Sequence, residues 1–153
     1  MAPVVEALRG VAFITAVTVV CEVGDIRRFA KPRQLMAFLG LVPGEGPSGV
    51  TRGQGEITKA GNVLARAVLV GAAWSCQTPA KIGAQMMLRQ EGIPRAAKEI
   101  GWKAQVRLCG RYRRLMARGK KSALAITAVA RERVGFIWAI AHTVEPAEAE
   151  SAA

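Results

Sequence analysis

Ser48 stands in the stretch Gly40–Asn62, GLVPGEGPSGVTRGQGEITKAGN, where seven of the chain's sixteen glycines fall within twenty-three residues. Glycine at that density suits a backbone that approaches another molecule closely rather than one packed in a core. A serine hydroxyl in such a Gly-Pro-Ser-Gly turn can attack a phosphodiester, provided arginines stabilise the extra charge on the phosphorane and an acid or metal is supplied from elsewhere. The same four residues can equally be only a turn. A Ser-His-Asp triad is excluded, because the one histidine, His142, lies near the far end and the one aspartate is Asp25. Two-metal phosphoryl transfer by this chain alone is disfavoured as well, since the eleven carboxylates are Asp25 and ten glutamates at mainly surface or tail positions. One histidine and no CxxC leave no zinc site to expect.

Two nucleotide motifs overlap the serine and fail on context. Gly44-Glu45-Gly46-Pro47-Ser48-Gly49 fits GxGxxG, yet no Asp or Glu occurs between Glu56 and Glu91 to hold a ribose. A phosphate-binding loop starting at Gly44 needs Lys after Gly49, and Val50 is there instead.

The formal net charge is +11, which favours a polyanionic partner, nucleic acid before an anionic membrane. The imbalance is local: Lys81–Lys121 holds twelve Lys/Arg against two Asp/Glu. A solvated helix surface is the plain alternative. The longest apolar run, Val11–Cys21, is shorter than the ~20 residues that cross a bilayer. It is followed by no cleavage site, so a cytoplasmic chain with no membrane span is expected. Cys21, Cys76 and Cys109 are odd in number and sit in apolar patterns, as reduced, buried thiols do.

The elements that would position these groups read as helices. Val5–Val23 fits helix, hairpin (Arg9–Ala12) and helix, stopped by Gly24, although its Val, Ile and Thr content would also suit a buried strand. Pro32 opens a short helix closed by Gly40, with Leu35, Met36 and Leu39 inward. Asn62–Trp74 reads as a helix with Leu64, Val68 and Ala72 on its apolar stripe, flanked by Lys59 and Arg66. Pro79 marks a joint. Pro94 begins a long helix to Arg118 in which Lys103, Arg107, Arg111, Arg114 and Arg118 share an arc of roughly 80° beside Ala104, Leu108, Tyr112 and Leu115. Such a cationic row gives salt-sensitive affinity for phosphates with little sequence information. Ala123–Ala141 is a last helix carrying Ile126, Val129, Val134, Ile137 and Trp138. Trp74, Trp102 and Trp138 read as core anchors rather than base-stacking platforms.

Several motifs in register, Gly24-Asp25-Ile26-Arg27-Arg28-Phe29, Pro32-Arg33-Gln34-Leu35, Leu39–Pro43, Ser48-Gly49, Ile57–Asn62, Ala72-Ala73-Trp74, Trp102–Gln105, Arg111–Leu115 and Phe136–Ile140, resemble the C-terminal serine-bearing domain of bridge-RNA-guided insertion-sequence transposases. The likeness covers nearly the whole chain. It implies that Ser48 matches the family's catalytic serine, which joins covalently to DNA in strand exchange, and that the segment around Lys59, Gly61 and Asn62 lies near the nucleic acid; Arg52 and Arg66 are further candidate nucleic-acid contacts beside it. It also implies four acids and Mg2+ on an N-terminal RuvC-like domain, in cis or in trans, a guide RNA, and a homo-oligomer in the active complex. No RuvC-like segment is recognisable in this sequence, so a truncated product, inactive alone, is the expectation. Leu8–Phe13 departs from the family pattern in lacking a second glycine in the hairpin.

The fold expected is all-α, five to six helices around one core, with an N-terminal helix-hairpin-helix-like unit and an exposed glycine-rich loop. Residues 1–76 would form the hairpin and serine-loop part, 77–142 the basic helical part of the same domain, and 143–153 a disordered acidic tail. Three functions fit: a DNA-recombination component with Ser48 as nucleophile, a basic RNA- or DNA-binding module without chemistry, and a membrane-surface protein using the basic helix.

Overall fold

The computed structural model describes residues 1–42 and 61–144. Among these it is all helical, with seven α-helices: α1 (Ala2–Val5), α2 (Phe13–Val23), α3 (Pro32–Phe38), α4 (Val63–Ala73), α5 (Ala84–Arg89), α6 (Arg95–Ala117) and α7 (Ser122–Thr143). Single 3-10 turns follow α2 (Ile26–Arg28) and α4 (Trp74–Gln77). The strand alternative for the N-terminal run is therefore rejected. The extra element relative to the expected count is α5, which lies between the joint at Pro79 and the helix that follows Pro94. The serine and most of the glycine-rich loop, residues 43–60, lie outside the described residues, as does the tail from 145 onward.

Helix α7 is the organising element. It packs against α6, α3, α4 and α1, and Ala125, Ile126, Val129, Ala130, Val134, Ile137, Ile140 and Ala141 are all buried. Each fully buried Ile or Val is worth about 1.5–3 kcal/mol of transfer free energy, so this helix anchors one core that gathers Val5 and Leu8 from the N-terminus, Leu35 and Leu39 from α3, Leu69 from α4 and Leu108 from α6. A turn at 118–121 joins α6 to α7, and Arg107 meets Glu132 about ten residues either side of it, so the two helices run antiparallel. α2 and α4 are antiparallel as well: Glu22 at the end of α2 bonds Asn62 at the start of α4, while a Cβ at Gly10, before α2, would meet Ser75 Oγ after α4 at 2.4 Å.

Local signals explain the boundaries. Pro32 opens α3, whose first turn is tied by Lys31 N–H donating to Gln34 Oε1 at 3.1 Å. Pro94 occupies the N-cap position of α6 without a side-chain cap, and Gly119 follows the helix end. Asp25 caps the first 3-10 turn, accepting from Arg27 N and Nε at 3.0 Å. The Arg27 hydrogen bond holds its carboxyl below the usual carboxylate range.

The structure corrects the expected burial of Leu64, Trp74, Trp102 and Cys21. The inward stripe of α4 is Ala65, Leu69, Ala72 and Ala73, while Leu64 is 54% exposed; Asn62 fixes the helix phase through its cap, and the smaller Ala65 fits the close approach of α2. Trp74 and Trp102, read as core anchors, are 41% and 42% exposed. Only Trp138 packs on the core, with its Nε1 donating to Phe29 O at 2.7 Å. Cys21 is exposed, whereas Cys76 and Cys109 are buried. No helix among the described residues is long and apolar enough to cross a membrane.

Candidate nucleic-acid interface

The expected site residues fall into three sets. Ser48, Arg52 and Lys59 lie outside the described residues. Gly61, Asn62 and Arg66 gather where α3 ends and α4 begins. Lys103, Arg107, Arg111, Arg114 and Arg118 run along α6.

The α3/α4 junction is held by its own hydrogen bonds. Gly61 adopts φ +118° and sits so close to α3 that a Cβ would lie 2.1 Å from Phe38 O. Asn62 Oδ1 accepts from Ala65 N at 2.8 Å, capping α4, while its Nδ2 donates to Glu22. Arg66 Nη1 donates to Leu39 O at 3.2 Å, satisfying a carbonyl that α3 leaves open at its C-terminus. Gly61 and Asn62 thereby each have a structural duty at this junction. Asn62→Ala removes the cap and should cost about 1 kcal/mol, read as a lower urea midpoint with an unchanged slope.

On α6 the cations split into two kinds. Lys103, Arg107, Arg114 and Arg118 are exposed, but Arg111 is half-buried. Glu132 of α7 pairs with Arg107 and, at 3.2 Å, with Arg111 Nε. The row therefore has one acid built into its middle, and among the described residues Lys103, Arg114 and Arg118 pair with no acid. Sequence periodicity along α6 could not show this, because Glu132 belongs to a different helix. The signal that existed is Arg131-Glu132-Arg133, three charges in an otherwise apolar helix.

Arg133, from the same triplet, points inward and is fully buried. Its Nη2 contacts Cys76 Sγ at 3.0 Å, and its Nε and Nη1 have no partner among the described residues. Burial pulls its guanidinium below the ordinary value and pushes the neighbouring Cys109 thiol up. Arg9 closes the cluster, donating to Pro79 O at 2.7 Å and approaching Cys109 Sγ at 3.8 Å.

The two surface sets flank α7. Glu132 faces α6, and a Cβ at Gly135, three residues on, would lie 3.4 Å from Met36 Cε of α3. Residues three apart on a helix are neighbours about 5–6 Å apart, so α7 meets α6 and α3 at the same level. Among the described residues, no hydrogen bond or ion pair links Gly61, Asn62 or Arg66 to the α6 cations. No group of three or more His, Cys, Asp or Glu among them is placed to hold a metal ion.

The described residues define a structural class, the all-helical domain with an exposed cationic helix. The sequence narrows it further: residues 2–86 match the Transposase IS116/IS110/IS902 family, and the chain belongs to that family. It is 55% identical over 136 residues to y4qE of Sinorhizobium fredii, which carries a transposase name, covering 89% of this chain and 35% of that protein. It is 34% identical over 125 residues to the transposase for insertion sequence element IS1111A of Coxiella burnetii, covering 82% of this chain and 31% of that protein. The chain thus spans about a third of the length of these relatives. No solved structure matches it.

Proposed function

We propose that this chain is the strand-exchange part of a DNA transposase: it binds nucleic acid along α6 and presents Ser48 as the nucleophile that joins DNA. Membership of a transposase family supports DNA transposition as the process, and the exposed row Lys103, Arg107, Arg114 and Arg118 is the observation that carries binding. A RuvC-like domain, in cis or in trans, would bring the acids and Mg2+. The described residues offer no metal cluster, so no step is assigned to the ion on this chain. A guide RNA would select the DNA, and a homo-oligomer would hold the strands to be exchanged. The setting is the bacterial cytoplasm.

A narrower reading, a binding module without chemistry, rests on the same row, which suffices for affinity by itself. Binding is tested with the full chain and a labelled DNA duplex over a salt series. Each neutralised phosphate contributes about 0.9 to the log–log slope on duplex DNA, so replacing Lys103, Arg114 and Arg118 together by Ala should lower the slope by roughly 2–3. A flat wild-type slope removes both readings.

A further inference from the structure

We propose that Trp102 is a stacking platform for an unpaired base of a single-stranded nucleic acid, with Lys98 and Lys103 receiving the phosphates on either side. The proposal rests on the nucleic-acid reading above and goes beyond it by naming a residue and a strand state. Trp102 lies on the face of α6 turned away from Leu108 and Leu115, and it is 42% exposed. It borders a shallow open depression lined by Arg95, Lys98, Glu99 and Lys103. Three of those four neighbours are cations, and the one acid, Glu99, is engaged with Arg95 at 3.0 Å. Val106, one turn further along the same side, is also exposed and extends the apolar floor.

The contrast with Trp138 is informative. That indole is seated on the core and its N–H is bonded to a carbonyl. No acceptor for Trp102 Nε1 occurs among the described residues, so the ring presents both an apolar face and an unused donor. A large aromatic left open among lysines and arginines matches the combination that binds unpaired strands: π-faces for bases and cations for the backbone. Duplex DNA cannot use the ring in this way, because its bases are already stacked on each other. A protein partner would have to match three cations around one small apolar spot, which makes the nucleic acid the better fit.

The test uses the full chain and fluorescence anisotropy with a fluorescein-labelled oligothymidylate and a labelled duplex. Trp102→Ala should weaken oligothymidylate binding roughly tenfold with an unchanged salt slope, and leave duplex affinity within about twofold of wild type. Trp102→Phe, which keeps a π-face, should retain most of the single-strand affinity. The side chain is surface-placed, and the Phe variant controls for folding. Equal losses on both nucleic acids overturn the proposal, as does an unaffected Trp102→Ala, which would assign the spot to a protein contact. If wild type binds neither nucleic acid at low salt, the function proposed above falls with it; if wild type binds and only the Trp102 effect is absent, that function stands and this inference alone falls.

Discussion

Ser48→Ala should abolish the covalent protein–DNA adduct formed when the chain is combined with a RuvC-like partner, guide RNA, Mg2+ and internally labelled duplex. In the proposed step the Ser48 Oγ attacks phosphorus, its proton passes to a base, one P–O ester bond breaks, and the departing deoxyribose oxygen takes up a proton. The product is a serine–phosphate ester that survives denaturing electrophoresis. Losing the attacking atom leaves nothing for neighbouring cations to assist, so the expected fall is more than about 10³-fold, as for other lost nucleophiles. Duplex affinity and its salt slope should be unchanged in the same variant, because the binding charge sits on α6. An adduct that persists in Ser48→Ala eliminates the serine as nucleophile. A wild-type chain that binds with the expected salt slope yet yields no adduct reduces the function to the binding module.

How much of this could be seen in the sequence depends on which interactions are local. Pro32, Asn62, Pro94 and Gly119 act within a turn of themselves, and the helices they bound lie where their chemistry puts them. The cationic row on α6 was visible for the same reason, since it follows from the 100° step of one helix. What crosses between elements was hidden. Glu132 pairs with Arg107 and Arg111 from α7, offsetting one of their two charges, and Glu22 and Phe38 meet Asn62 and Gly61 from α2 and α3. Trp102 is exposed because helical phase, not residue type, sets its direction. On α6 it falls well off the Ala104, Leu108, Leu115 face, and that phase already pointed it outward. Of the candidate site, the α6 row and the α3/α4 junction are placed by the structure, and the junction residues have structural duties that a one-dimensional motif cannot show.

Gly61→Ala should lower folding stability by about 2–4 kcal/mol, a positive-φ penalty joined to a steric one. At φ +118° an L side chain is strained in any surroundings, and here the new Cβ would also lie 2.1 Å from Phe38 O. That oxygen belongs to the last turn of α3, whose position is fixed by the buried Leu35 and Leu39 and by the Phe38 ring, 5.5 Å from the Phe29 ring and 4.9 Å from the Arg28 guanidinium. The collision must be relieved by moving α3 off the core or by pulling residue 61 away and spoiling the Asn62 cap. Thermal unfolding followed by circular dichroism should show a drop of roughly 5–15 °C. Gly119→Ala separates the two components: it has φ +76° with nothing within 4 Å of a new Cβ, so only the backbone strain of about 1 kcal/mol applies. If Gly61→Ala melts no lower than Gly119→Ala, the seat of residue 61 on α3 is wrong. If it melts lower but, at a temperature where it is folded, keeps wild-type affinity for DNA, Gly61 serves the base of the serine-bearing stretch and not the nucleic acid itself.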